Sequence, residues 1–313
     1  MVSTVRYQPV LKLISDSRVN SYKIFFNDWD STSELSKYGA YIWSQKVSSS
    51  LYPLMQHLEI LLRNSIDQAA KRRFGDYWWD QIELDSSKDN YNDFCNGISS
   101  AKRKLTTKWK KQRREALGLG KRDPIPEPEP SFSHNDILAA TDFGVWLNVF
   151  NAGLSSPNNA DNDKYLWPKS FSKSFRRFNI LAPSPDDARL EFLRLINEIK
   201  DYRNRLFHHD CIWVKSSSSH KQDAIETIRH KINLIGKLIE AISPVTYSTL
   251  NAWGTFYHAR RICSVEEFDL YTQNSFAPFP EDGHFDFFDS LVSTQKSMVL
   301  SYADTPIYMH KFR

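Results

Sequence analysis

The residues with most chemistry to offer stand in the segment Leu193-Arg-Leu-Ile-Asn-Glu-Ile-Lys-Asp-Tyr-Arg-Asn-Arg-Leu-Phe-His-His-Asp210. Read as a helix at about 100° per residue, it sets Arg203 among Ile196, Ile199 and Leu206, on the apolar side. A guanidinium there is costly unless it is paired and hydrogen-bonded. Asn204 and His208 are four positions apart and share one side of the helix, and His209 and Asp210 lead out of it. An imidazole titrates in the right range to give or take a proton near neutrality. A guanidinium offers fixed, paired donors to a phosphate. Asn204 can orient His208 or donate to the same phosphate. The set suits proton transfer beside a phosphate ester, with no metal required.

Each of these residues also has a plainer reading. Arg203 can be half of a structural ion pair with Glu59, which lies at the edge of the apolar stripe Leu51–Ile66, where an unpaired carboxylate would be costly. Both roles can coexist if Glu59 holds Arg203 in place. His208 can be an ordinary histidine at a helix C-terminus, and His209 a solvent or capping residue. Arg63 and Asn64 read as structural support, Arg63 lying four residues beyond Glu59.

Several helices must position this segment. From Glu34 to Phe74 the spacing is helical, with Leu51, Leu54, Met55, Leu58, Leu62 and Ile66 making one stripe. Pro53 is expected to start or kink its second half, and Gly75 to end it. Trp78 and Trp79 read as core or interface residues, with base stacking the sharper alternative. Asp89–Leu117 reads as a helix carrying Lys102, Arg103, Lys104, Lys108, Lys110, Lys111, Arg113 and Arg114. That run is either a solvated face or an RNA-binding surface. A Pro-rich loop follows at 123–131, extended because each proline restricts the residue before it. Ser133 with Asp136 opens a helix in capping-box fashion. Further helices are expected over Pro185–His208 and from Ile225 to Pro244. Strand signals are weak throughout. The fold class is therefore mainly all-α: an N-terminal segment (1–33), a helical domain (34–243) and an acidic, aromatic C-terminal appendage (244–313), helical or irregular.

The segment Arg203-Asn204-x-x-x-His208 resembles the signature of HEPN-superfamily ribonucleases of the Abi-like (abortive infection) type. Two other blocks resemble that family's in the same order. One is Leu58-Glu-Ile-Leu-Leu-Arg-Asn-Ser-Ile66 with Phe74-Gly75 and Trp78-Trp79. The other is Ile137-Leu-Ala-Ala-Thr-Asp-Phe-Gly-Val-Trp-Leu-Asn-Val-Phe150 with Leu166-Trp167-Pro168. The likeness covers roughly 37–243 and departs at Asp142, where related sequences are less charged. It implies a HEPN-like helical bundle that dimerises, joining two signatures in one cleft lined by both copies of His208. It implies RNA cleavage without metal or cofactor, leaving 2′,3′-cyclic phosphate and 5′-hydroxyl ends, in phage defence or as a toxin with an antitoxin or regulatory partner. The alternative is a non-catalytic RNA-binding or scaffold protein of the same fold. The basic run is expected to border the cleft.

The whole chain is compatible with this. Its 313 residues carry a net charge of +4, which permits a nucleic-acid partner without requiring one. Cys95, Cys211 and Cys263 form no C-x-x-C pair, so no zinc or disulfide framework is suggested, and their low, odd count suits a reducing cytoplasm. No secretory leader is read at the N-terminus, and no run approaches the roughly 18 apolar residues that span a bilayer. Nothing resembles a phosphate-binding Gly-rich loop, which counts against a nucleotide-dependent regulator. The acidic stretch Glu266–Asp289 is expected either to fold over the basic helix as a restraint or to pack its aromatics onto the core.

Overall fold

In the computed structural model, the structure describes residues 6–273, 277–278, 289, 293, 297–302 and 305–310. The chain is mainly helical. Its helices are α1 (Gln8–Ile14), α2 (Asp16–Asn20), α3 (Glu34–Phe74), α4 (Asp93–Leu117), α5 (His134–Ala140), α6 (Phe143–Asn148), α7 (Phe171–Ser174), α8 (Pro185–Phe207), α9 (Lys221–Ile242), α10 (Pro244–Ala252), α11 (Thr255–Ile262) and α12 (Val265–Thr272). A small sheet follows, with β1 (Ala277–Pro278), β2 (Met298–Tyr302) and β3 (Thr305–Met309). β1 pairs parallel with β2, and β2 antiparallel with β3, Leu300 opposite Ile307. Weak strand signals therefore concealed a real hairpin, built of apolar and aromatic residues such as Val299, Leu300, Ile307 and Tyr308.

The chain forms two compact units, Met1–Leu58 with Glu198–Glu240 and Pro244–Arg313, and Glu59–Asn197 with Ala241–Ser243. The division falls inside α3 and α8, so neither unit is one continuous stretch. It differs from the three consecutive segments that composition suggests. Composition marks where polarity changes along the chain, whereas a compact unit is set by which side chains share a core.

In the first unit that core is aromatic. Phe25 stacks on Phe268 at 4.9 Å between centroids and meets Trp213 edge-on at 4.8 Å. Trp43 meets Phe268 edge-on at 5.1 Å, and its indole N–H donates to the Ile262 carbonyl at 2.8 Å. Gly39 of α3 lies where a Cβ would come within 2.0 Å of the Tyr271 carbonyl oxygen, so α12 ends directly against α3. The α9 stripe Ile225, Ile228, Ile232, Ile235, Leu238 and Ile239 is buried, as its period requires. Pro244 opens α10 as well as ending α9; a first helical position suits a residue with no N–H. Arg261 and Glu267 are both buried and pair at 3.4 Å. Tyr308 of β3 hydrogen-bonds to each, and burial pushes its phenol up to about 12.

The second unit packs Trp78, Phe94, Trp146, Phe150, Trp167, Phe171, Phe175 and Phe192, all fully buried. Trp78 stacks on Phe94 at 5.1 Å, and Phe150 on Trp167 at 5.8 Å. The indole of Trp78 donates to Asp67 at 2.9 Å. His134 accepts at Nδ1 from the Tyr77 N–H, so its own proton sits on Nε2 and goes to Asp67 at 2.8 Å. Trp78 and Trp79 are thus core residues, both buried. At the end of α3 the guanidinium of Arg73 donates to the carbonyls of Leu166, Asn162, Asp163 and Tyr165 and to Ser170. One cation thereby satisfies four carbonyls of a single loop. Gly75 ends α3 at φ 80°, and Ser133 and Asp136 complete the capping box of α5. Pro53 does not start a new helix; α3 runs through it without a break.

Candidate functional site

Arg203, Asn204, His208 and His209 all lie in the first unit, in and just beyond the last turn of α8. That turn closes with His208 N–H on the Asn204 carbonyl at 2.9 Å, His209 N–H on Leu206 at 3.2 Å and Asp210 N–H on Arg205 at 2.9 Å. The last two bonds are those of a Schellman motif, whose C′ residue is left-handed and usually glycine. Here it is His209, at φ 55°. The left-handed conformation costs an ordinary L-residue about 1–2 kcal/mol.

Arg203 is half-buried, with its guanidinium stacked on the ring of Phe207, 4.4 Å from the centroid. Its Nε is buried and has no hydrogen-bond partner. The carboxylate partner expected for it, Glu59, falls in the second unit. Among the described residues Arg203 takes part in no ion pair, and what holds it instead is a ring. Asn204 is half-buried, and His208 and His209 are exposed. Arg63 and Asn64 belong to the second unit, where the Arg63 Nε donates to Asn64 Oδ1 at 3.4 Å; no Glu59–Arg63 ion pair accompanies it among the described residues.

Against this turn lies a cavity of about 780 Å³, entirely within the first unit. One face of α3 walls it with Tyr41, Gln45, Ser48, Ser49 and Tyr52, and the α8 terminus adds Phe207, His209 and Asp210. Three of its hydroxyl groups are already engaged. Tyr22 donates to Ser44 at 2.6 Å, Ser44 donates to the Tyr41 carbonyl, and Ser48 donates to the Ser44 carbonyl. Burial pushes the Tyr22 phenol up to about 12, so it stays protonated. Sequence reasoning missed this cavity. The available signal was Ser48-Ser49-Ser50 followed by Pro53 on a helix whose other side is apolar.

The basic run occupies α4 in the second unit, and much of it is neutralised there. Lys102 pairs with Asp80 at 3.4 Å, Lys104 with Asp142 at 3.1 Å and Lys111 with Glu115 at 3.9 Å. The rest of the pairing comes from the Pro-rich loop. Glu129 meets Lys110 at 3.2 Å and hydrogen-bonds to Thr106, Glu127 pairs with Arg113, and the Arg114 Nε donates to the Asp123 carbonyl at 3.3 Å. Arg113 holds the Glu127 carboxyl below its usual range, and Thr106 with Lys110 does the same to Glu129. The loop therefore lies antiparallel along one face of α4, as a strap of carboxylates two residues apart. The linker read in the sequence is a fitted element. Among the described residues Arg103 and Lys108 have no ion pair, and both are exposed.

The three cysteines are unsuited to nucleophilic work. Burial pushes Cys211 up to about 11 and Cys263 to about 12, and raises Cys95 as well. Among the described residues no group of three or more His, Cys, Asp or Glu gathers as a metal site would require, and no helix is long and apolar enough to cross a membrane. Of the acidic stretch, Glu267 and Phe268 are buried and Asp269 pairs with Lys221 at 2.7 Å, while Glu281, Asp282 and Asp286 lie outside the described residues. No family model, curated protein or solved structure matches the chain.

Proposed function

We propose that this chain is a metal-independent endoribonuclease whose active groups are Arg203, Asn204, His208 and His209, acting in phage defence or as a toxin. The observation that carries the reading is the state of Arg203. It is half-buried beside two exposed imidazoles, it is held by a ring, and it has no ion pair among the described residues. A guanidinium so placed is ready for a phosphate.

The chemistry follows from the groups. One imidazole takes the proton of a ribose 2′-hydroxyl as its oxygen bonds to phosphorus. The phosphorus–O5′ bond breaks, and an imidazolium gives the leaving oxygen its proton. Arg203 stabilises the charge on the non-bridging oxygens, and Asn204 adds a donor. The products are a 2′,3′-cyclic phosphate and a 5′-hydroxyl. Neither His208 nor His209 has a side-chain hydrogen-bond partner among the described residues. A homodimer that sets two signatures face to face would orient them, by contact of one patch with itself. The same observation favours the second reading, an RNA-binding protein that does not cut, since a working base is normally held by a third group.

One experiment separates the two readings. The purified chain is incubated with total RNA in EDTA and the ends are analysed. The proposal expects cyclic phosphate and 5′-hydroxyl termini; a strict need for Mg²⁺ or Mn²⁺, or intact RNA, overturns it. A protein that is monomeric by light scattering and still cuts overturns the composite cleft alone.

Contact of α4 with RNA has its own test. A strand that displaces the strap exchanges ion pairs, so few counterions are released. In the double variant Glu127→Gln, Glu129→Gln, Lys110 and Arg113 are open to phosphates. Binding of a single-stranded RNA should tighten, and the slope of log K against log salt should steepen by roughly 1.4, at about 0.7 per phosphate. An unchanged slope removes this face of α4 from the RNA path.

A further inference from the structure

Resting on the ribonuclease reading of the adjoining turn, we infer that the cavity between α3 and the C-terminal turn of α8 is a pocket for one unpaired nucleobase of the RNA. Its volume, about 780 Å³, lies in the range of small-molecule sites. Its mouth is aromatic. Tyr52 and Phe207 are 52% and 44% exposed, large fractions for rings of this size, and they meet edge to face at 5.8 Å. Two accessible rings at an angle offer a flat guest a face to stack on and an edge to abut. Because Arg203 lies on the ring of Phe207, the ring that would contact the base also carries the cation assigned to the phosphate.

The polar groups left over in the wall fit a base edge better than any charged guest. Gln45 presents an amide with no hydrogen bond among the described residues, and an amide both donates and accepts. The Ser49 hydroxyl is likewise unengaged. The Ser49 carbonyl lacks its helical donor, because the residue four positions on is Pro53, which has no N–H. Donor, acceptor and amide along one helix face match the alternating donors and acceptors of a Watson–Crick edge. A free anion is disfavoured, since the cation Arg18 shares the wall with the carboxylate of Asp210. An aliphatic chain is disfavoured by the same uncompensated polar groups, which it would strip of water. An unpaired base meets all of these conditions, and single-stranded RNA is commonly read by such stacking on aromatic side chains.

The full-length chain is titrated with the four nucleoside 5′-monophosphates and with ribose 5-phosphate, followed by saturation-transfer NMR and calorimetry. At least one nucleotide should bind at millimolar concentration or below, with ribose 5-phosphate at least tenfold weaker. Tyr52→Ala should weaken binding about ten- to a hundredfold, the effect of removing one stacking ring. Gln45→Ala should alter the order of preference among the four bases. Both residues are exposed, so the melting temperature should stay that of the parent. The inference is overturned if no nucleotide binds, if ribose 5-phosphate binds as well as the nucleotides, or if Tyr52→Ala binds like the parent. Cleavage of RNA is assayed in parallel. Cleavage without nucleotide binding overturns the pocket and leaves the ribonuclease reading; binding without cleavage does the reverse.

Discussion

Arg203→Ala and His208→Ala are each expected to slow RNA cleavage by about 10²–10⁴-fold, the range found when a positioned acid, base or phosphate-stabilising donor is removed. Neither should unfold the protein. His208 is exposed, and surface substitutions of that kind usually stay within about 0.5 kcal/mol. Arg203 would leave no carboxylate unpaired, because it has no ion pair among the described residues. It would forfeit its stacking on Phe207, worth about 0.5–1 kcal/mol where solvent has access. The loss of several kcal/mol that follows from breaking a buried Arg203–Glu59 pair is therefore not expected. Arg203→Lys should recover little, since an ammonium lacks both the planar fork and the stacking surface. His209→Gly should move two readouts in opposite directions. It relieves the left-handed backbone at φ 55° and raises the melting temperature, while removing an imidazole and lowering the rate. Rates and melting curves measured on the same preparations decide the matter. If Arg203→Ala and His208→Ala both cut like the parent, the ribonuclease reading is lost.

Phe268→Ala is expected to destabilise the first unit by about 3–5 kcal/mol, the usual cost of truncating a buried aromatic. That is a large part of the 5–15 kcal/mol typical of a whole domain. Phe268 is buried, stacked on Phe25 and edge-on to Trp43, so a cavity there would open beneath α3. Truncation after Ser243 should be worse. It removes Phe256, Ala259, Ile262 and Phe268 from the core, together with the carbonyl that accepts from the Trp43 indole. The truncated chain should be insoluble, or should lose its cooperative urea transition. Trp253→Ala and Val245→Ala serve as controls: both side chains are exposed, and the transition midpoint should barely move. A soluble truncated chain with a sharp transition would show that α10–α12 are dispensable and that the composition-based boundary at Pro244 was the better description.

Much of the secondary structure could be read directly because its causes are local. The stripe Leu51–Ile66 repeats with the period of a helix, Gly75 supplies the backbone freedom a helix end uses, and Ser133 with Asp136 satisfies amide groups three residues away. Each of these is settled by a handful of neighbouring residues, so each survives in any fold the chain adopts. The arrangement of Arg203, Asn204 and His208 at one helix end was legible for the same reason. What Arg203 touches was not. Its apolar position demanded compensation, and a carboxylate on another helix could supply that as well as a ring one turn along its own. The strap was hidden in the same way. Alternating Glu and Pro dictates an extended loop, but only the fold lays that loop against Lys110 and Arg113. The C-terminal helices show the limit most clearly. By sequence they form an acidic tail, yet Phe268 completes a core begun at Phe25 and Trp43, more than two hundred residues earlier. The sequence alone determined the long helices α3, α4, α8 and α9 and the grouping of the candidate catalytic residues, because backbone hydrogen bonding and side-chain period act over three or four positions. Which faces met, which charges were cancelled and which cavity opened beside the histidines were decided by burial, which acts between surfaces without regard to their distance along the chain.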